Sequence, residues 1–532
     1  MSMVFPLALA QGTPAAAVPT FEQLEALGAR IGQIRITNQN IFDLNDPEEN
    51  TGLFRLANRL HIPTRRHVVE RALSLQPGEP VSVRRIEEAE RLLRANRYLY
   101  DVEIRPLAVR EGVVDIEVST RDTWTLEPGI NFGRSGGENS SGIGLREYNL
   151  LGTGAYFSIS RSNQVDRSTN EIQFTYNRAF DGWTTVAVSH SENSDGRRDA
   201  VSVVRPFYAL DTRWAAGVSL SRDSRIDSVY TGGVTTSQFR RQENLAEVFG
   251  GWSPGLVNGY SQRYLAGLSL REDMWQLEPG RTAPAALPQD RRLVAPFVRY
   301  ELVEDDFQKR GNRNQMGRPE FFAMGWGASA QLSRSTEALG ANQNVWQYAA
   351  ALTNGWTPTS DHEAFASLAA SGELGGSQPV RRAFSASLRY YVPINRRLLL
   401  YGAAAGDWAR TPDPAGQLML GGDNGLRGYP LRYQSGERRV LMTAEARAFT
   451  DIYLWRLVRV GGAAFYDVGR AWGGPNPNAL NPGWLSNVGI GLRFFSVRAA
   501  FGNVLHVDIA RALQRDPSIR STQLLVKTKA SF

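Results

Sequence analysis

TQLLVKTKASF, from Thr522 to Phe532, alternates two kinds of side chain. In an extended strand Leu524, Val526, Thr528, Ala530 and Phe532 fall on one face, while Lys527 and Lys529 fall on the other. The first face suits lipid, and the second then requires water. A lysine facing lipid at mid-bilayer would cost about 2–4 kcal/mol, so the lysines belong to a wet lumen. The segment reads as a strand of a membrane β-barrel.

The same pattern recurs upstream. EIQFTYN sets Ile172, Phe174 and Tyr176 against Glu171, Gln173, Thr175 and Asn177. RWAAGVSLS exposes Trp214, Ala216, Val218 and Leu220 on one side, AFSASLRY does so with Phe384, Ala386, Leu388 and Tyr390, and NVGIGLRF with Val488, Ile490, Leu492 and Phe494. A water-soluble sandwich also alternates, but here the pattern continues for about four hundred residues without a second core element. Aromatic residues recur near strand ends, where membrane girdles lie. Short turns such as FDGW and YVPINR alternate with longer connections such as 273–291. About twenty segments can be marked between Thr125 and Phe532, and the length suits 16–20 strands.

Composition agrees with this reading. Of 532 residues 21% are charged, mean hydropathy is −0.33, and no apolar run reaches the roughly eighteen residues of a helical span. A barrel shows no such run, because lipid-facing and lumen-facing residues average out. The absence of cysteine excludes a disulfide framework and a cysteine-ligated metal site, and it suits an oxidising compartment. The net charge of +7 is compatible with anionic lipid headgroups. No dense basic run points to nucleic acid.

The front of the chain is organised differently. Residues 1–10, ending Ala8-Leu9-Ala10, read as the remnant of a signal peptide, and residues 11–30 read as a tether. Residues 31–122 read as a small α+β domain and residues 123–532 as the barrel. IGQIRI supplies a strand with Ile34 and Ile36 on one side. TRRHVVERALSL follows as a helix, with Thr64 as candidate N-cap and Val68, Val69, Ala72 and Leu73 on one face. VRRIEEAERLLRANRYL is a second helix, burying Ile86, Ala89, Leu92 and Leu93. DVEIRPLAV and GVVDIEVST are strands joined at Arg110-Glu111-Gly112. Residues 40–63 form an insertion with a short helix around Leu53 to Leu60. Such a domain is either a cap for its neighbour or a module whose free sheet edge pairs with an extended client.

GGDNGLRGYPLRY, Gly421 to Tyr433, holds Arg427 in a glycine-rich loop between strands. RVLMTAEARAF after it points Thr443, Glu445 and Arg447 to the lumen, and GGAAFYDVGRAW points Phe465, Asp467 and Gly469 the same way. If the loop folds back into the barrel, Arg427 finds two carboxylates, Glu445 and Asp467, for its planar fork of donors. Gly425 and Gly428 give the backbone the freedom to turn there. The alternative leaves Arg427 at a solvated loop tip and both carboxylates in lumen water.

GLRGY (Gly425, Leu426, Arg427, Gly428, Tyr429), FYDVG (Phe465 to Gly469), REYNLLGTGAY (Arg146 to Tyr156) and the strand–helix–helix–strand–strand domain together resemble the BamA/TamA superfamily of outer-membrane barrels. The resemblance spans nearly the whole chain from Ile31. It implies a periplasmic POTRA domain ahead of the barrel, and Phe532 as a C-terminal strand signal. It further implies that the Arg427 loop locks onto the inner wall at Asp467, with Glu445, Phe465 and Gly469 nearby. A labile seam would lie between the first strand, near Thr125 to Arg134, and the last. The chain departs in having one front domain, Leu at position 426 where a β-branched residue is common, and more strands than the relatives' sixteen.

The five histidines are scattered, and no HExxH, GxSxG, phosphate-binding or dinucleotide motif occurs. No enzyme activity, cofactor or metal is expected. The leading expectation is an assembly or insertion factor in the bacterial outer membrane, with its front domain in the periplasm. Its partners would be outer-membrane lipids, unfolded outer-membrane or secreted client proteins at the sheet edge, and periplasmic or inner-membrane accessory proteins. The alternatives are a two-partner-type secretion pore and a passive porin-like barrel.

Overall fold

The computed structural model describes residues 18–532 except 318, 377–379, 412, 475–481, 497, 500–502, 515, 518 and 530. The signal-peptide reading of residues 1–10 and the placement of Ala530 lie outside the described residues.

Residues up to Asp122 form an α+β unit of helices α1 (Phe21–Ala26), α2 (Gly52–Leu60), α3 (Arg66–Ala72) and α4 (Val83–Arg94) with strands β1 (Arg30–Gln39), β2 (Leu99–Arg110) and β3 (Val113–Asp122). The sheet order is β1-β3-β2, with β1 parallel and β2 antiparallel to the central β3. Val68, Val69 and Ala72 of α3 and Ile86, Ala89 and Leu93 of α4 bury their faces against Ile31, Val102, Val114, Ile116 and Val118.

Two local expectations are corrected here. Within the expected tether, Thr20 and Gln23 form a capping box that starts α1, and Leu24 enters the core. Thr64 is not the N-cap of α3, whose cap position is Arg65. Its backbone N–H instead donates to Asp122 at 2.7 Å and its hydroxyl accepts from Asn149 at 2.8 Å. The Asn149 amide thus takes the hydroxyl oxygen that would otherwise have accepted from the helix N-terminus.

From Leu126 onward, 20 antiparallel strands among the described residues close into a barrel, beginning with Leu126–Ser135 and finishing with Thr522–Lys529. Alternation has the consequence read from the sequence. Val218, Leu220, Phe384, Leu388, Val488, Ile490, Leu492 and Leu524 all stand exposed on the outer wall. Exposed Trp214, Trp252 and Trp356 lie toward the rim that carries the front domain, and Trp346 and Trp484 toward the far rim. No helix among the described residues is long and apolar enough to cross a membrane, and the strands form the apolar belt instead.

Phe532 departs from the alternation. The last strand stops at Lys529, and Phe532 turns into the lumen, 4% exposed, with its ring 4.9 Å from that of Phe449. Its N–H donates to Asn314 O at 2.7 Å, and Ser531 O accepts from His506 at 2.8 Å. Beyond the last ladder bond the pleat no longer fixes the side chain, and an apolar nest of Met316, Phe449 and Phe495 takes it.

Candidate functional site

The connection 411–437 dips into the barrel from the far rim, held by a short ladder between Leu418–Leu420 and Gln434–Gly436. Leu426 and Tyr429 are fully buried with Leu420, Tyr433, Ala471 and Leu485, so the loop carries its own apolar anchor. The Tyr429 hydroxyl donates to Ser486 O at 2.9 Å and accepts from Ser486 N at 3.2 Å.

Three glycines permit this path. Gly425 sits at φ +126°, where a Cβ would lie 2.1 Å from Leu441. At Gly428 a Cβ would lie 2.7 Å from Asn487 Cβ and 2.9 Å from Ala512 N. Gly469 on the wall would meet Leu420 of the loop at 3.1 Å, so the two surfaces touch through hydrogen.

Arg427 thereby reaches the inner wall. Its Nε and Nη2 donate to the two carboxylate oxygens of Asp467, each at 2.7 Å, and Nη1 donates to Glu445 at 3.0 Å. Its guanidinium lies 3.3 Å from the centre of the Phe465 ring. Thr443 pairs with Asp467 and Glu445 with Phe465 across adjacent strands, which places both carboxylates on one inward patch. Asp467 also accepts from Thr443 at 2.9 Å and Asn487 at 2.8 Å, so its buried oxygens are well supplied with donors.

Further wall residues complete the cluster. Glu445 accepts from Arg447 at 3.0 Å, and Arg493 pairs with Asp508, which lies 4.0 Å from Arg427. Three guanidinium groups thus face three carboxylates, all nearly or fully buried. Matched opposite charges make the burial tolerable. Asn487 and Arg493 fall opposite the apolar face of NVGIGLRF, and nothing in their spacing, or in that of Asp508, ties them to Arg427.

The loop also touches the closure of the barrel. Between Thr522–Lys529 and Leu126–Ser135 a single residue pair, Val526 opposite Arg134, forms the ladder among the described residues. The flanking ladders run unbroken, from Val504 opposite Lys529 to Arg511 opposite Thr522, and from Leu126 opposite Glu147 to Ser135 opposite Glu138. Across this seam Ser135 Oγ, at 2.6 Å, and Lys527 Nζ, at 3.0 Å, both donate to the carbonyl of Gly422. One loop carbonyl therefore bridges the two seam strands.

Several solved structures are similar to the chain. BamA from Haemophilus ducreyi lacking POTRA domains 1-3 is 13% identical over 94% of this chain and 84% of its own, with a TM-score of 0.41. CdiB from Escherichia coli is 14% identical over 95% of this chain and 77% of its own, at 0.48. The FrpB iron transporter from Neisseria meningitidis is 9% identical over 82% and 88%, at 0.43. Likeness of this degree assigns no function. No protein-family model and no curated protein matches the chain.

A second inward element lies opposite the first. The connection 305–326, on the rim that carries the front domain, forms a hairpin of Phe307–Gly311 and Pro319–Ala323. Arg310 and Arg313 both bind Glu363 on the wall, at 2.9 and 2.8 Å. The carbonyl of Arg313 accepts from Arg447 at 2.8 Å, so Arg447 and Glu445 link this hairpin to Arg427. Its other end meets α4, where Arg91 stacks 3.9 Å from the centre of the Phe307 ring and Lys309 approaches Glu90 at 3.4 Å. A connection on this rim is expected to be short, and the polar sequence QKRGNRNQ gives no sign of insertion. Among the described residues no group of three or more acidic or histidine side chains is placed to hold a metal ion.

Proposed function

We propose that the protein is an assembly or insertion factor of the bacterial outer membrane, with the front unit acting as a POTRA domain in the periplasm. The observation that carries this reading is the seam. A barrel built only as a pore gains nothing from a closure whose ladder has one residue pair among the described residues, whereas a barrel that templates new strands needs an edge it can expose. The lock of Arg427 onto Asp467 and Glu445 holds the loop in place, and through Gly422 the loop holds the seam shut.

The front unit supports the same reading. β2 is an edge strand of the three-stranded sheet, and an edge strand is where an extended client could add to the sheet. Inward elements from both rims fill part of the lumen, which favours a seam-based mechanism over an exporter or a porin.

The test is reconstitution. Purified protein in lipid vesicles is offered an unfolded outer-membrane barrel, and its insertion is followed by resistance to protease. The proposal expects faster insertion than in empty vesicles. Equal rates, with transfer of a soluble chain into the vesicle interior, would favour export.

A further inference from the structure

Helix α2 carries two apolar faces, and only one is used inside the protein. Phe54 is buried, its ring stacked on Phe42 with centroids 4.0 Å apart, in a cluster with Ile41, Trp124 and Leu457. That contact pins the helix beneath the rim beside the seam. Leu53, Leu56 and Leu60 are 60%, 50% and 64% exposed, and Ile62 just beyond the helix is 52% exposed. At about 100° per residue the three leucines fall within about 60° of one another, and the exposed Arg59 and Arg55 follow about 60° and 100° further round.

The surroundings of this stripe identify its occupant. One cavity of about 1480 Å³ is lined by Leu53, Leu56 and Leu60 together with Leu126, Ile130 and Phe132 of the first barrel strand. The last three stand on the outer face of that strand, with Ile130 89% exposed and Phe132 56%. The leucine stripe thus continues the belt that the barrel turns to lipid. We propose that α2 is an interfacial helix whose leucines enter the phospholipid leaflet at this rim, with Arg55 and Arg59 reaching lipid phosphates. It places a wedge in the bilayer at the foot of the seam, where it disturbs lipid packing beside the edge that clients would use. The inference rests on the barrel spanning a membrane and not on the assembly activity.

Because the chain lacks cysteine, single cysteines can be labelled without background. An environment-sensitive fluorophore is placed at Leu56→Cys in the full chain, which is then reconstituted into phosphatidylethanolamine–phosphatidylglycerol vesicles. Ile130→Cys on the barrel belt and Arg110→Cys on the front domain serve as references. Lipid carrying a nitroxide near the headgroup should dim the Leu56 label by roughly half, and aqueous iodide should leave it bright. Ile130 should be dimmed by a deeper nitroxide, and Arg110 by iodide alone. A Leu56 label that iodide quenches as well as it does Arg110, beside a normal Ile130, overturns the helix proposal while leaving the barrel intact. A label that responds only when an unfolded client is added overturns it in favour of a protein partner. If Ile130 is also open to iodide, the barrel is not in the bilayer and the proposal falls with it.

Discussion

Arg427 and Asp467, separated by 40 positions in sequence, meet through two parallel hydrogen bonds of 2.7 Å each. One partner hangs from a loop and the other stands on a wall strand, so the pair converts a flexible connection into part of the barrel lining. Asp467 is fully buried. Removing the arginine leaves a carboxylate that only Thr443 and Asn487 still serve.

Arg427→Ala is therefore expected to lower barrel stability by about 3–5 kcal/mol, the range for an orphaned buried charge. Arg427→Lys keeps the charge but not the fork, and falls between wild type and alanine. Urea midpoints in detergent, with protease cleavage in 421–433 as a local readout, measure both. A midpoint and cleavage pattern like wild type would show that the pair does not hold the loop.

Gly428→Ala should free the loop without touching a charge. The added methyl meets both Asn487 Cβ and the Ala512 amide at less than contact distance, and the backbone atom cannot move aside. A loss of about 1–3 kcal/mol is expected, as for overpacking elsewhere. Gly402→Ala, where nothing lies within 4 Å of the new atom, is the neutral comparison.

The seam clasp can be weakened from either strand. Ser135→Ala with Lys527→Ala removes both donors to Gly422, the charged one contributing about 1.5–3 kcal/mol and the neutral one about 0.5–1.5 kcal/mol. Spin labels at positions 134 and 526 should give one narrow distance in the parent and a broad, longer distribution in the double variant. Identical distributions would mean that the loop does not hold the seam.

The front domain carries a pH signature. Burial pushes the Asp122 carboxyl from 3.8 up to about 6, so stability falls as pH rises through that interval. Burial lowers His61, 3.6 Å away, from 6.5 to about 4, so the unfolded chain binds the proton first and stability rises with pH between those values. The two slopes oppose each other. Asp122→Asn removes one of them, and its front domain should become steadily more resistant to urea from about pH 4 to 6.5. A label on Arg66→Cys reports that unfolding in the intact chain. A variant as flat as its parent would contradict the assignment.

Strand periodicity made the barrel readable, because a side-chain period of two is fixed by the pleat and the outer face has one solvent. The inward sense of Glu445 and Asp467 follows from the same rule. Asn487, Arg493 and Asp508 were harder, since a polar inward residue is the default in any lumen and their convergence on Arg427 depends on register. The hairpin at 305–326 and the inward turn of Phe532 were not legible at all. They depend on each other, through Asn314 and the Met316–Phe449–Phe495 nest, and neither leaves a local pattern. The segment around Leu53 to Leu60 reads only as a short helix within an insertion, and which of its faces the domain leaves open depends on tertiary packing.

In an assembly factor of the kind proposed, the seam opens during work. Arg134→Cys with Val526→Cys places a disulfide at the residue pair that forms the seam ladder among the described residues. Insertion of an unfolded barrel into vesicles is then measured with the bond oxidised and again after reduction. Insertion should fall to the rate of empty vesicles when the seam is locked and recover on reduction. Full activity with the disulfide formed would contradict this, and would move the working part of the molecule from the seam to the lumen.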